Sequence, residues 1–239
     1  MKIIECFSSV QGEGQTIGTP AYFIRTAGCN LRCHDCDTKY SFGPGEEVSL
    51  SELAEQILFS GEETIVYTGG EPLLQWDDLF ELSTKVHPHL VKKIIIETNG
   101  TMYPPVNLTL ACMHFVVSPK FHNISKATNM PVNKDLEIIK DILNTYKERV
   151  ELKILFFNEH DLAITRRFLQ YLDENKVKLK LPVTFQPGVP LNVKQHSDLS
   201  LFFRIAYVSY NTYKDIFPYQ TRFIVQQHKI IWNPTKRGV

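Results

Sequence analysis

Three cysteines lie within one short stretch of the chain, at Cys29, Cys33 and Cys36. The spacing Cys-x3-Cys-x2-Cys lets a single loop direct three thiolates towards a common centre. Thiolates are soft ligands that suit zinc or an iron–sulfur cluster. The chemistry that this pattern indicates is therefore that of a metal centre held by one loop.

The number of thiolates helps to distinguish between these metals. A closed structural zinc site takes four protein ligands, often as two separated pairs, and the sequence has no second Cys-x2-Cys pair. Zinc would have to take a fourth ligand from His34, Cys6 or Cys112. A cubane iron–sulfur cluster usually has four thiolates, so three would leave one iron open to a small chelating ligand. The pattern favours such an open cluster, with a structural zinc loop as the alternative.

The sequence around this loop predicts alternating strands and helices, and these elements must position the loop. Short runs rich in Val, Ile and Phe predict strands at 22–25, 64–68, 92–98, 114–118, 150–156 and 181–186. Helical periodicity predicts helices near 76–86, 134–146 and 159–173, and Ser49 with Glu52 forms a capping box before the apolar positions Leu50, Leu53, Ile57 and Leu58. This alternation indicates an α/β protein with a parallel sheet and right-handed crossovers.

Six strands are fewer than the eight of a complete (β/α) barrel, which leaves a partial barrel or a doubly wound sheet. No internal repeat, low-complexity tract or linker divides the chain, so we expect one domain over residues 1–239. Polar residues or glycines follow the predicted strands, where parallel α/β proteins bind ligands. These segments are Thr68-Gly69-Gly70-Glu71-Pro72, Glu97-Thr98-Asn99-Gly100-Thr101, Ser118-Pro119-Lys120 and Gln186-Pro187-Gly188.

Charge and hydropathy exclude other classes of function. The 26 Lys and Arg residues balance 26 Asp and Glu residues, so net charge indicates no nucleic-acid or membrane partner. The apolar run 199–208 contains Arg204 and is shorter than the ~20 residues that span a bilayer. The amino-terminal segment lacks the features of a secretory signal, so we expect a cytoplasmic protein whose cysteines bind metal rather than form disulfides.

The cysteine motif followed by Gly69-Gly70-Glu71-Pro72 resembles the radical S-adenosylmethionine (SAM) superfamily. The resemblance implies a partial (β/α)6 barrel with the cysteine loop at the carboxyl-terminal edge of its strands. It also implies that the three cysteines hold a [4Fe–4S] cluster whose fourth iron is chelated by SAM. Reductive cleavage of SAM in that superfamily gives a 5′-deoxyadenosyl radical.

A narrower resemblance extends from one terminus to the other. Phe7-Ser8-Ser9-Val10-Gln11-Gly12-Glu13-Gly14, Cys36-Asp37-Thr38, Glu97-Thr98-Asn99-Gly100-Thr101, Ser118-Pro119-Lys120 and Lys236-Arg237-Gly238-Val239 are similar to segments of the 7-carboxy-7-deazaguanine synthase family. Its members convert 6-carboxy-5,6,7,8-tetrahydropterin to 7-carboxy-7-deazaguanine with loss of ammonia, on the route to queuosine. The resemblance implies Mg²⁺, a homodimer and an electron donor such as flavodoxin. A glycyl-radical activating enzyme shares the cysteine loop and is the alternative enzyme.

The same resemblance assigns roles to residues of this sequence. Cys29, Cys33 and Cys36 would hold the cluster, and the hydroxyl of Thr38 would ligate Mg²⁺, which prefers oxygen. The guanidinium of Arg25 matches a substrate carboxylate, and Glu13 would accept from the guanidine-like edge of the pterin. No residue is assigned to acid–base catalysis. The implied cofactor contacts are Asp35, Asp37, Gly70, Glu71, Ser118, Pro119, Lys120 and Gln186, and the implied substrate contacts are Val10, Gln11, Gly12, Glu13, Arg25, Thr68 and Val239. Most superfamily members have an aromatic residue where this chain has Asp35, so ring packing on adenine is lost there.

Overall fold

The computed structural model describes residues 1–34, 36–87, 89–121, 133–157, 159–188 and 219–226. Within these ranges one mixed sheet forms the centre of the molecule. Its strands are β1 (Lys2–Val10), β2 (Pro20–Thr26), β3 (Glu46–Glu47), β4 (Thr64–Gly69), β5 (Lys93–Thr98), β6 (Met113–Val117), β7 (Val150–Phe156), β8 (Val183–Pro187) and β9 (Thr221–Phe223). Their spatial order is β3-β1-β2-β4-β5-β6-β7-β8-β9.

All six strands predicted from the sequence are confirmed, as β2 and β4 to β8, with ends that shift by one or two residues. They pair in parallel, each with the next one along the chain. The prediction missed β1, which pairs antiparallel with β2, and the two short strands β3 and β9, which pair with β1 and β8. In β1 polar and apolar residues are mixed, and most of its side chains are only partly buried, so its hydrophobic signal is weak.

The four predicted helices are confirmed as α1 (Leu50–Ser60), α2 (Trp76–Val86), α3 (Asn133–Thr145) and α4 (Glu159–Glu174). Ser49 caps α1, because its side-chain oxygen accepts a hydrogen bond from the backbone N–H of Glu52 over 3.1 Å. Leu53 and Ile57 are fully buried as expected. Leu58, predicted on the same apolar face, is 42% exposed, because it lies at the edge of that face. No helix in the described ranges has both the length and the apolar character to cross a bilayer.

The two faces of the sheet differ in what covers them. One large apolar cluster joins strand residues such as Ile24, Tyr67 and Phe115 to residues of all four helices. The opposite face has a small apolar cluster without helix residues, formed by Ala21, Phe23, Val66, Ile95 and Val116. A doubly wound sheet reverses its strand order and carries helices on both faces, whereas the described part of this chain does neither. We call the helix-free side the inner face.

Candidate active site

The three motif cysteines lie on the loop that leaves the carboxyl end of β2. Two backbone hydrogen bonds hold this loop, from Gly28 N to Ser41 O over 2.7 Å and from Glu71 N to Gly28 O over 2.9 Å. Cys33 is buried, Cys29 and Cys36 are partly buried, and all three are free thiols. No disulfide therefore competes with metal binding in this loop.

The three thiols share one electrostatic environment. Burial raises the pKa of Cys33 to about 11, the Lys120 ammonium acts to lower it, and the Cys36 and Cys29 thiols raise it. Burial also raises the pKa of Cys29. Among the described residues, which omit position 35, no group of three or more His, Cys, Asp or Glu side chains has the geometry to hold a metal ion. The structure brings the cysteines to one region, and binding a cluster requires the loop to draw their sulfur atoms together.

Thr38 lies directly beside the third cysteine. Its Oγ1 is 3.5 Å from Cys36 Sγ. The turn that follows is closed by the backbone carbonyl of Thr38, which accepts hydrogen bonds from Ser41 N over 2.8 Å and Ser41 Oγ over 2.7 Å. The hydroxyl makes no cap hydrogen bond to the following 3-10 helix. The local fold therefore does not depend on this hydroxyl to close the turn.

Gly70 contacts the cysteine loop so closely that no side chain fits. A Cβ on Gly70 would lie 1.8 Å from Gly28 O and 3.0 Å from Cys29 Cβ. Gly69 has a φ of +127°, and a Cβ there would lie 2.3 Å from Thr26 O. Because glycine has no Cβ and tolerates positive φ, these two residues let the turn after β4 reach the backbone beside Cys29.

Glu71 is fully buried and links this turn to the end of β5. Its carboxylate accepts hydrogen bonds from Leu73 N over 3.1 Å, Thr98 Oγ1 over 2.8 Å and Asn99 N over 2.8 Å. Burial raises the pKa of Glu71 to about 7, and these three donors together with Lys120 act to lower it. The carboxylate thus orients the turn through bonds within the chain.

Asn99 connects the end of β5 to the cysteine loop. Its Nδ2 donates to Asn30 Oδ1 over 3.0 Å and lies 3.9 Å from Cys29 Sγ. Thr101 Oγ1 accepts from Asn30 Nδ2 over 2.6 Å. The sequence prediction did not include Asn99 as a site residue, although the segment that contains it follows a strand.

The segment after β6 borders the same edge. Ser118 is buried, and its Oγ accepts a hydrogen bond from Lys120 Nζ over 2.9 Å. Lys120 and Pro119 line a small cleft that Leu31 and Asn99 also border. Lys120 therefore faces the cysteine loop and is not the fully solvated surface lysine that the sequence alone allowed.

On the inner face, Arg25 lies beside β1. Its Nε donates to Glu5 Oε1 over 2.7 Å, and the Tyr40 hydroxyl donates to the same oxygen over 2.9 Å. The Arg25 guanidinium also lies 5.7 Å from the centre of the Tyr40 ring. Arg25 donates to Glu5 through Nε, and its two terminal guanidinium nitrogens do not take part in this hydrogen bond.

Gln11, Thr68 and Glu97 meet on the inner face. Glu97 accepts from Gln11 Nε2 over 3.2 Å and from Thr68 Oγ1 over 2.8 Å. Thr68 pairs with Arg25 in the register between β4 and β2, so both lie at one level of the sheet. Gln11 Oε1 also accepts from Glu13 N over 3.1 Å, which fixes the loop after β1.

Glu13 reaches across the inner face to β7. Lys153 Nζ donates to Glu13 Oε2 over 2.5 Å and lies 3.7 Å from Glu97 Oε1. Gln226 Nε2 donates to Glu13 Oε1 over 2.6 Å. Burial acts to lower the pKa of Lys153, but Glu13 and Glu97 outweigh it and hold that pKa above its ordinary value.

Comparisons with known proteins identify the family of the chain. The model of the radical SAM superfamily matches residues 23–169. A 7-carboxy-7-deazaguanine synthase from Thermoplasma acidophilum is 34% identical over 233 residues, which cover 97% of this chain and 97% of the relative. The chain belongs to the 7-carboxy-7-deazaguanine synthase family.

Two further comparisons cover nearly all of this family member. A 7-carboxy-7-deazaguanine synthase from Chlorobaculum tepidum is 29% identical and matches over 100% of this chain and 97% of the relative. The crystal structure of QueE from Escherichia coli has a TM-score of 0.64 at 23% identity, over 94% of this chain and 93% of that chain. The fold is therefore that of a radical SAM protein.

The residues of this synthase family member fit the iron–sulfur cluster and SAM that radical SAM proteins carry. The donor set consists of three free thiols on one loop, the number that leaves one iron open. Gly70 lies beside these thiols and has no side chain, so a ligand can approach its backbone atoms closely. Neither Cys6 nor Cys112 is in this loop.

The remaining predicted residues differ in placement. Val10 is 46% exposed at the end of β1, Asp37 is exposed, and Gly12 is buried. Gln186 is fully buried on β8, and neither polar atom of its side chain has a hydrogen-bond partner among the described residues. An unpaired buried amide costs ~1–3 kcal/mol, as expected at a position completed by a ligand. Asp35 and Val239 lie outside the described residues.

Sequence reasoning missed Lys153 and did not assign Glu97 to the site. Lys153 and its neighbour Glu151 are buried charges within the otherwise apolar strand β7. Charged residues are almost never fully buried without a partner. Buried charges in an apolar strand therefore indicate a polar site. The residues that pair with these charges become known only from the positions of the strands in the folded sheet.

Proposed function

We propose that this chain is a radical SAM lyase that converts 6-carboxy-5,6,7,8-tetrahydropterin to 7-carboxy-7-deazaguanine with loss of ammonia. One observation carries the proposal. The loop after β1 brings Gln11 and Glu13 onto the inner face beside Thr68 and Glu97, while the cysteine loop leaves the carboxyl end of the adjacent strand β2. This arrangement would put a radical generator and a polar pocket for a flat heterocycle on neighbouring parts of one sheet.

Cys29, Cys33 and Cys36 would hold the [4Fe–4S] cluster at this carboxyl-terminal edge. When bound, the cluster supplies the electron that splits the sulfonium of SAM. The backbone at Gly70 and the Ser118-Pro119-Lys120 segment would bind the methionyl and ribose parts, and the unpaired amide of Gln186 would bind near the adenine. Glu71 would hold the turn at Gly70 in place. Asp35 and Asp37 would flank the bound cofactor.

The substrate would lie on the inner face. Arg25 would use its terminal nitrogens to bind the carboxylate, since a guanidinium matches a carboxylate with two parallel hydrogen bonds. Glu13 would accept from the guanidine-like edge of the pterin, and Gln11, Gly12 and Thr68 would complete the polar contacts. Val10 and Val239 would border the ring. Closing these contacts around the substrate would exclude water from the reacting carbon.

Further parts of the proposal rest on the family resemblance. Thr38 would ligate Mg²⁺, and its hydroxyl beside Cys36 is not used to close the turn. We propose one domain over residues 1–239 folded as a partial (β/α)6 barrel. The six parallel strands β2 and β4 to β8, which lie in chain order, and the apolar cluster without helix residues on the inner face support this proposal. A homodimer, a cytoplasmic location and a flavodoxin-like electron donor complete it.

The test is an anaerobic assay of the reconstituted protein with 6-carboxytetrahydropterin, SAM, Mg²⁺ and dithionite. Formation of 7-carboxy-7-deazaguanine and ammonia, with SAM not consumed in proportion to product, is the expected result. Cleavage of SAM without product would reject the substrate and retain the superfamily. Stoichiometric zinc in the native protein, with no iron taken up on reconstitution, would instead support a zinc-binding protein without catalytic function.

A further inference from the structure

A buried lysine lies between two carboxylates of the candidate substrate pocket. The side chain of Lys153 is 5% exposed, and its Nζ lies 2.5 Å from Glu13 Oε2 and 3.7 Å from Glu97 Oε1. The three residues come from different parts of the chain: the loop after β1, strand β5 and strand β7. One ammonium group therefore joins both carboxylates.

The three residues together carry an excess of one negative charge, because two carboxylates face one ammonium. Neutral donors also bind these carboxylates, since Gln11 and Thr68 donate to Glu97 and Gln226 donates to Glu13. A carboxylate has about four acceptor sites, so each of the two still has lone pairs to offer. A partly buried site with an excess of acceptors suits a ligand edge that carries N–H donors.

A lysine at this position has an electrostatic consequence. Two carboxylates that face one low-dielectric site without a cation cannot both stay ionised, and one of them takes up a proton. A protonated carboxyl offers a donor where the ligand edge also offers a donor, so the contact is lost. The ammonium of Lys153 removes this conflict by stabilising both ionised groups.

We propose that Lys153 is a positioning residue for substrate binding, which fixes Glu13 and Glu97 as ionised acceptors for the N–H edge of the heterocycle. This inference rests on the proposed function. The inference goes beyond the proposed function because it makes Lys153 of β7 responsible for the ionised state of the pocket carboxylates. That state gives the pocket its selectivity for a ligand edge with N–H donors.

Other charged groups face the same pocket. Glu151 lies on the same face of β7 two residues before Lys153, and its carboxylate accepts hydrogen bonds from Thr184 Oγ1 and Gln15 N. Arg222 of β9 lies near Glu151 and acts to lower its pKa, as Lys153 does. Arg25 is paired with Glu5. Lys153 is the residue of this group that forms ion pairs with both Glu13 and Glu97.

The experiment measures substrate affinity without turnover. The reconstituted protein with SAM and Mg²⁺, but no reductant, is titrated with 6-carboxytetrahydropterin at several pH values between 6 and 8.5. The variants are Lys153→Met, which keeps the length but removes the charge, and Lys153→Arg, which restores a cation. Lys92→Met is the matched control, because Lys92 is exposed and paired with Glu63 away from the pocket.

We expect the dissociation constant of Lys153→Met, relative to the unmodified protein, to rise about tenfold or more at pH 6. The ratio should shrink towards pH 8.5 as the shared proton leaves the carboxylate pair. Lys153→Arg should restore most of the affinity at pH 6, and Lys92→Met should match the unmodified protein. A ratio that does not change with pH, or no restoration by arginine, overturns the inference.

Two outcomes separate this inference from the proposed function. If the unmodified protein does not bind the pterin, the proposed substrate is wrong. If it binds and Lys153→Met binds with the same affinity, only the role of Lys153 is wrong. Should Lys153→Met fail to fold, Glu13→Gln/Lys153→Met is used instead, because it keeps only Glu97 of the two carboxylates that Lys153 joins and so removes the proton shared between them. The dissociation constant of the double variant, divided by that of Glu13→Gln, should then be independent of pH. If this ratio of dissociation constants rises as the pH falls, the inference is overturned.

Discussion

Glu71 Oε2 accepts a hydrogen bond from the backbone N–H of Asn99 over 2.8 Å, and this contact ties the turn after β4 to the end of β5. The Asn99 side chain continues the connection to Asn30 and Cys29. A buried carboxylate thus fixes the relative position of three loops at one edge of the sheet. Through Glu71, the strands β4 and β5 determine the positions of the loops beside the cysteines.

We predict that Glu71→Gln destabilises the protein by ~1–3 kcal/mol, because the amide group places an N–H against one of the backbone or hydroxyl donors that the carboxylate accepts. Chemical denaturation at pH 8 measures this free energy of unfolding. Glu81→Gln is the control, since Glu81 is exposed and forms a surface pair with Lys85. Equal stability of the two variants would contradict the role of Glu71.

Gly70→Ala should reduce both stability and iron loading. The new methyl group would meet Gly28 O at 1.8 Å, so the turn and the cysteine loop must separate, at a cost of ~1–3 kcal/mol. Gly43→Ala is the matched control, because a Cβ there would lie 3.5 Å from Tyr40 O, an ordinary contact. Melting temperature and iron content per chain are measured together. The account predicts loss of both in Gly70→Ala alone.

Thr38→Val should abolish the dependence of the reaction rate on Mg²⁺ and leave the iron content unchanged. Valine has the shape of threonine but no oxygen donor for a cation that prefers oxygen ligands. Thr38→Ser keeps the hydroxyl and should retain the response to Mg²⁺. Rates measured over a range of Mg²⁺ concentrations decide this. A response in Thr38→Val equal to that of Thr38→Ser would rule out Thr38 as a ligand.

His114 provides a test of pH dependence away from the cysteines. Burial, aided by Lys93 and Arg149, lowers the pKa of His114 from 6.5 to about 4. Between these values the unfolded chain binds more protons than the folded protein, so the contribution of His114 to stability is lost as the pH falls from 6.5 towards 4. His114→Asn should therefore lose less stability than the unmodified protein between pH 7 and 4.5. His89→Gln, at an exposed position, should behave like the unmodified protein when melting temperatures are compared.

The sequence predicted the parallel strands well because they are buried on both faces. In β4 and β5 runs such as Ile65-Val66-Tyr67 and Ile94-Ile95-Ile96 are almost entirely inaccessible, so hydrophobicity marks them clearly. Strand β1 was missed because polar and apolar residues are mixed along it and most of its side chains are only partly buried. The pairing of β1 with β2 depends on the assembled sheet, and the hydrophobic pattern of residues 2–10 alone does not reveal it.

The site was predictable where it depends on short motifs. The cysteine spacing and the glycine turn are local, and the structure places both at one edge of the sheet. The contact of Glu13 with Lys153 joins residues 140 positions apart and follows from strand order and register. No spacing rule within the sequence contains that information. Glu71 was assigned to the cofactor from its motif, whereas its three hydrogen bonds to Leu73, Thr98 and Asn99 show how it orients the turn.

Electron paramagnetic resonance of the reduced, reconstituted protein tests the central claim most directly. If Cys29, Cys33 and Cys36 hold a [4Fe–4S] cluster with one iron open, the cluster signal should shift when SAM is added, and replacing any one of the three cysteines by alanine should remove it. Replacing Cys6 or Cys112 should leave the signal and its shift unchanged. A signal that SAM does not alter, or one that survives in the Cys29, Cys33 and Cys36 variants, would contradict the account.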